Sequence, residues 1–115
     1  MRVLICGGRD YQDKVTMYNV LNEFLDDINT PVTIISGGAK GADTLAEEFS
    51  MYFDLPFEKY PADWDKHGRA AGYIRNKRML DEGKPDLVVA FPGGKGTAMM
   101  VKLAREAGVE VREVT

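Results

Sequence analysis

"DLVVAFPGGKGTAMM", residues 86–100, decides the fold. Its first six residues, 86–91, are apolar after Asp86 and do not alternate with polar ones, which is the pattern of a strand covered on both faces. Pro92 and the pair Gly93-Gly94 end that strand. The stretch from about 97 to 107 then sets Met100, Leu103, Ala104 and Ala107 on one helical face before Gly108 stops it. A strand passing through a glycine turn into a helix is one half of a parallel crossover unit.

Outward from there, the same grammar occurs twice more. "RVLIC", 2–6, runs into Gly7-Gly8 and then into a stretch with Met17, Leu21, Phe24 and Ile28 at helical spacing, preceded by Asp13 and Thr16 as candidate caps. "VTIIS", 32–36, runs into Gly37-Gly38 and a helix from about 41 to 53, with Leu45, Ala46, Phe49 and Phe53 on one face. A weaker strand, "PFEKY", 56–60, precedes an irregular stretch, "PADWDKHG", 61–68. A helix over about 69–82 is closed by Gly83 and Pro85, and "VEVRE", 109–113, supplies a last strand. Strand and helix alternating throughout predict an α/β fold: a doubly wound, Rossmann-like, five-stranded parallel sheet of order 3-2-1-4-5. At 115 residues the expectation is a single domain, 1–115, burying about two-thirds of its unfolded surface.

Hydrophobic residues at 44% and charged residues at 29% are ordinary globular values, and a net charge of -3 argues against indiscriminate nucleic-acid binding. The single cysteine, Cys6, lies inside an apolar run, and His67 is the only histidine. An intrachain disulfide, a zinc site, Cys-His catalysis and a Ser-His-Asp triad therefore lack the residues they need, and neither a metal nor a cofactor is expected. Only "MRVLI" precedes Cys6, too short for a signal-peptide core, and no apolar run nears the roughly 18 residues of a spanning helix. The expectation is a cytoplasmic protein without membrane contact.

Gly7-Gly8, Gly37-Gly38 and Gly93-Gly94 each follow a strand. A single such pair is no more than a tight turn, but in a parallel sheet of this order all three converge on one crevice at the carboxyl edge. Glycine brings backbone N–H groups close to a ligand, and helix N-termini add partial positive charge, so a phosphate is the guest such a crevice stabilises. In "SGGAKGADTLAEEF", Lys40 either pairs with phosphate or is solvated, and Asp43 either serves the helix dipole or accepts from a ribose hydroxyl. Arg9 either makes a bidentate phosphate contact or stacks on a base and Tyr11 stacks as well, or both belong to an exposed loop. "KHGRAAGYIRNKR", 66–78, holds Lys66, Arg69, Arg75, Lys77 and Arg78 with no acid, and Arg75 shares a helix face with Met79. Trp64 is either a base-stacking lid or an aromatic plug at the domain's edge. Neither a Walker pattern nor a G-x-G-x-x-G fingerprint is present.

Four segments together, "GGRDY", "SGGAKGAD", "ADW" with "GRAAGYIRNKRM", and "AFPGGKGTAMM", resemble the SLOG superfamily over nearly the whole chain. That Rossmann-like group includes the lysine-decarboxylase-like phosphoribohydrolases and the DNA-processing protein A fold, and this sequence is most similar to its small YspA-type and YpsA-related members, some encoded by phages. The resemblance implies a nucleotide-derived ligand in the crevice, held by Gly7, Gly8, Arg9, Gly37, Gly38, Lys40, Gly41, Asp43, Arg75, Asn76, Pro92, Gly93, Gly94, Lys95, Gly96 and Thr97. It also implies self-association, as in relatives that form dimers. The phosphoribohydrolase branch reads P-G-G-x-G-T-x-x-E, with the glutamate and an upstream arginine serving catalysis. Here the glutamate's place is Met100, and in "RNKRM" Asn76 stands for that branch's lysine, so no catalytic residue is assigned. Asp10, Asp43 and Asp63 are the acids able to substitute from other loops. Binding or sensing of a nucleotide-derived phosphate ligand ranks first, hydrolysis of nucleoside-monophosphate N-glycosidic bonds second, and single-stranded DNA binding by 66–78 third.

Overall fold

The computed structural model describes residues 1–26 and 28–115. Five strands, β1 (Arg2–Cys6), β2 (Thr33–Ser36), β3 (Phe57–Lys59), β4 (Leu87–Ala90) and β5 (Glu110–Glu113), form one sheet. Every pairing is parallel and the order is β3-β2-β1-β4-β5. Helices α1 (Lys14–Leu25), α2 (Ala42–Tyr52), α4 (Ala71–Asp81) and α5 (Lys95–Glu106) cross over between strands, with a one-turn helix α3 (Trp64–His67) and a 3-10 turn (Gly68–Ala70) before α4. The doubly wound α/β expectation and its strand order are both present.

Side chains of the central strands divide between two cores, because successive strand residues face opposite ways. Val3, Ile5, Ile34, Leu87 and Val89 pack with Met17 and Leu21 of α1 and with Ala46 and Phe49 of α2. Leu4, Cys6, Ile35, Val88 and Ala90 pack with Met79 and Leu80 of α4 and with Met100, Val101 and Ala104 of α5. With both faces covered, β1, β2 and β4 have no polar alternation to show, which is why their sequences read as continuous apolar runs. The edge strand β5 is mostly exposed. Among the described residues, no helix is long and apolar enough to cross a membrane.

Four boundaries differ from the sequence expectation. The stretch 61–68 is not irregular throughout, since Asp63 caps α3 by accepting from the Lys66 amide at 3.1 Å. Helix α4 starts later than expected because residues 68–70 are wound as the 3-10 turn. Helix α5 starts at Lys95 rather than near 97, with Gly94 as its N-cap. Ile28 lies beyond α1, although it still packs on the first core.

Candidate functional site

Beyond the carboxyl ends of β1 and β4, where the chain winds outward in opposite directions, lies a cleft of about 870 Å³. Its walls come from the β1 turn, the start of α2, the α3–α4 segment and the turn into α5. Gly7, Gly8, Arg9, Asp43, Arg75, Asn76, Pro92, Gly93, Gly94, Lys95, Gly96 and Thr97 all line it. Gly37, Gly38, Lys40 and Gly41 do not.

The reason is the way the glycine turns seat on one another. The Gly8 amide donates to the Pro92 carbonyl at 2.9 Å, and the Gly8 carbonyl accepts from the Ala42 amide at 3.1 Å. The β1 turn is thereby bonded to both its neighbours. Gly41, with φ of 75°, lies so close to the Gly8 and Arg9 carbonyls that a Cβ would collide with them. Gly38 abuts the Lys59 side chain, away from the cleft. The end of the second glycine turn, at Gly41 and Ala42, is therefore seated on the β1 turn, and the first amide of α2 is bonded to protein rather than open to a ligand.

Helix α5 is different. Ala98 is the first residue whose amide donates along it, to Gly94 O at 3.1 Å, so the amides of Lys95, Gly96 and Thr97 have no intrahelical acceptor. The helix has neither a side-chain N-cap nor an acid in its first turn. Its positive end is open to the cleft, with the Lys95 side chain beside it. Gly93 lies against the Thr97 hydroxyl and the Gly8 amide, leaving no room for a Cβ.

The same cleft holds a buried polar cluster. Asp43 is 7% exposed and accepts from the Ala39 amide at 3.1 Å. Burial pushes its carboxyl above the ordinary carboxylate range, against the opposing pull of that amide and of Arg75. Arg75 donates through Nη1 to Gly37 O at 2.8 Å and through Nε to Asn76 Oδ1 at 2.9 Å. Burial lowers its pKa, and Asp43 counters part of that effect. Gly37 admits this arrangement because a Cβ there would stand 2.9 Å from the Arg75 Cζ and 3.0 Å from Asp43 Oδ2. Asn76, itself buried, is thus a positioning residue for Arg75.

The rest of the wall explains several residues that sequence left open. Tyr11 is no exposed loop residue: its ring packs on Phe91 at 5.4 Å, and its hydroxyl is enclosed without a protein partner. Met100 lies 1% exposed between core and cleft floor, as an apolar residue at that helical position should. Cys6, also buried in the floor, has its thiol pushed up to about 12, mainly by burial, and is no nucleophile. Of the three substitute acids, Asp10 and Asp43 line the cleft, whereas Asp63 caps α3. Among the basic residues of 66–78, Arg69 and Arg75 line it. Lys77 and Arg78 pair instead with Asp81 and Glu82 on the outer side of α4. Tyr73, not singled out from the sequence, also lines the cleft; its spacing of three from Asn76 on the same helix is the signal that could have found it.

The model of the family described as YAcAr, the YspA, cpYpsA-related SLOG family, matches residues 1–67. The chain belongs to this family. The match runs from β1 through α3 and so takes in the two bonded glycine turns, Asp43 and Trp64. A second likeness extends further: the chain is 35% identical over 117 residues to the Gene 61 protein of Mycobacterium phage D29, covering 96% of this chain and 93% of that relative. The α4 face and the open end of α5 therefore lie beyond the SLOG family match but within the span of the phage relative. Among the described residues of this SLOG chain, no group of three His, Cys, Asp or Glu side chains gathers as a metal site requires.

Proposed function

We propose that the protein binds a nucleotide or nucleotide-derived phosphate ligand in this cleft. The observation that carries the proposal is the uncapped α5 terminus, with the free amides of Lys95, Gly96 and Thr97 and the Lys95 ammonium beside them. Arg9 and Arg69 add positive charge to the same cleft, so a chain of net charge -3 has gathered cations where an anion would sit. SLOG membership agrees with a nucleotide-related role. Thermal unfolding with a panel of nucleoside mono- and diphosphates is the test. A ligand at 100 times its dissociation constant should stabilise by roughly 2.7 kcal/mol, about 10 °C in Tm for a chain of this size. No shift with any phosphate-bearing ligand overturns the proposal.

One observation favours a second reading, hydrolysis of a nucleoside-monophosphate N-glycosidic bond. Asp43 is a buried carboxyl lining the cleft, and burial raises its pKa, the direction expected of a carboxyl that serves as a general acid or base. Free base should then appear on long incubation with nucleoside monophosphates and vanish with Asp43→Asn. Unchanged substrate at high protein concentration removes this reading and leaves binding intact.

A further inference from the structure

The cleft's mouth carries two large aromatic side chains that the fold does not use. Trp64 and Tyr73 line the cleft, each is 49% exposed, and neither packs into the two cores. An indole serving as an edge plug would be covered by apolar neighbours. This one lies over Gly72, where even a Cβ would stand 3.6 Å from its Cη2, and has the Arg9 guanidinium 5.6 Å from its ring centroid. Arg2, Lys59, Lys77, Arg78, Arg105 and Arg112 are each paired with a carboxylate. Among the described residues, Arg9 has no such ion pair and rests on the π face of Trp64 instead.

A half-exposed indole with a guanidinium above it, lining the same cleft as the α5 terminus, is a stacking platform. Flat heteroaromatic rings stack on indole and on guanidinium alike. We infer that the ligand carries an aromatic base and that Trp64 is the platform on which the base stacks, with Arg9 as its charged companion. This inference rests on the phosphate-ligand reading above and assigns the residues that recognise the other end of the molecule. A base-free sugar phosphate would engage α5 alone, whereas a nucleotide engages both ends.

Trp64 is the only tryptophan, so its fluorescence reports on this platform without mutation. The full chain is titrated with the four common ribonucleoside 5′-monophosphates, and separately with ribose 5-phosphate and inorganic phosphate, following both Trp64 emission and Tm. At least one nucleotide is expected to quench Trp64 and to bind more tightly than ribose 5-phosphate. Trp64→Ala is expected to weaken that nucleotide by about 5- to 150-fold, the range base stacking spans, with ribose 5-phosphate affinity unchanged and Trp64→Phe restoring much of the loss. Because Trp64 is half exposed, the Tm of unliganded Trp64→Ala checks that its fold is intact. If ribose 5-phosphate raises Tm and binds as tightly as every nucleotide with no change in emission, the base platform is overturned while the phosphate reading stands. If neither nucleotide nor sugar phosphate binds, both fall. Equal nucleotide affinity in Trp64→Ala and in the unaltered chain also overturns the platform.

Discussion

Asp43 is the residue where charge, burial and backbone meet. Its carboxyl is raised by desolvation, so the folded chain holds that proton more tightly than the unfolded chain does. The stability this contributes is present below the unfolded carboxylate value and is lost as pH rises through the higher folded value. Tm measured against pH should therefore fall relative to Asp43→Asn across the window just above the ordinary carboxylate range. Taking the difference between the two proteins removes the opposite contributions of Asp13 and Glu58, whose carboxyls are lowered. Parallel Tm profiles for the two would contradict a raised Asp43. Met100 makes the complementary case. It stands where the phosphoribohydrolase branch has glutamate, but its side chain is 1% exposed among Leu4, Met79 and Ala104. Met100→Glu is expected to destabilise by about 3 kcal/mol or more in urea unfolding, because the carboxylate would be buried unpaired. A stability within about 0.5 kcal/mol of the original would show that the position opens to water.

Among the elements, helices α2 and α5 both begin after glycines, yet their N-termini have opposite fates. The α2 terminus is closed by Gly8 O and carries Asp43 in its first turn, whereas α5 is open and has no acid there. Lys95→Glu separates stability from binding at α5. An acid in the first turn favours the helix dipole, so the unliganded fold should gain roughly 0.3–1 kcal/mol. Affinity for phosphate-bearing ligands should fall at least about tenfold, since a charge has been reversed at the anion's position. Loss of both stability and affinity would mean that Lys95 holds the turn together. Sequence could reveal that glycine turns follow β1, β2 and β4, because apolar runs and glycine pairs are local. It could not reveal which turn keeps its amides free, since that depends on Gly8 bonding to Pro92 and Ala42, residues 84 and 34 positions away. The same limit explains Gly37, Gly38, Lys40 and Gly41, which share the motif but do not line the cleft. Asp63 reads as a loop acid until its bond to the Lys66 amide shows it ending a loop and starting a helix.

At the scale of the whole molecule, topology makes the cleft. Parallel order β3-β2-β1-β4-β5 brings β1 and β4 side by side with their connections leaving on opposite faces, so a crevice opens between them before any side chain is chosen. The sheet order was legible because each central strand reads as buried on both faces. The aromatic mouth was legible only at Trp64, as one of two alternatives, and not at Tyr73, because the two reach it from α3 and α4, segments whose docking has no local signature. The most direct test is an amide chemical-shift titration of the ¹⁵N-labelled chain with the nucleotide that gives the largest rise in Tm. The amides of Lys95, Gly96 and Thr97 should shift most, with those of Gly38 and Gly41 changing little. Shifts centred on the α2 turn, or spread over the outer side of α4 with α5 unmoved, would contradict an anion site at the open end of α5.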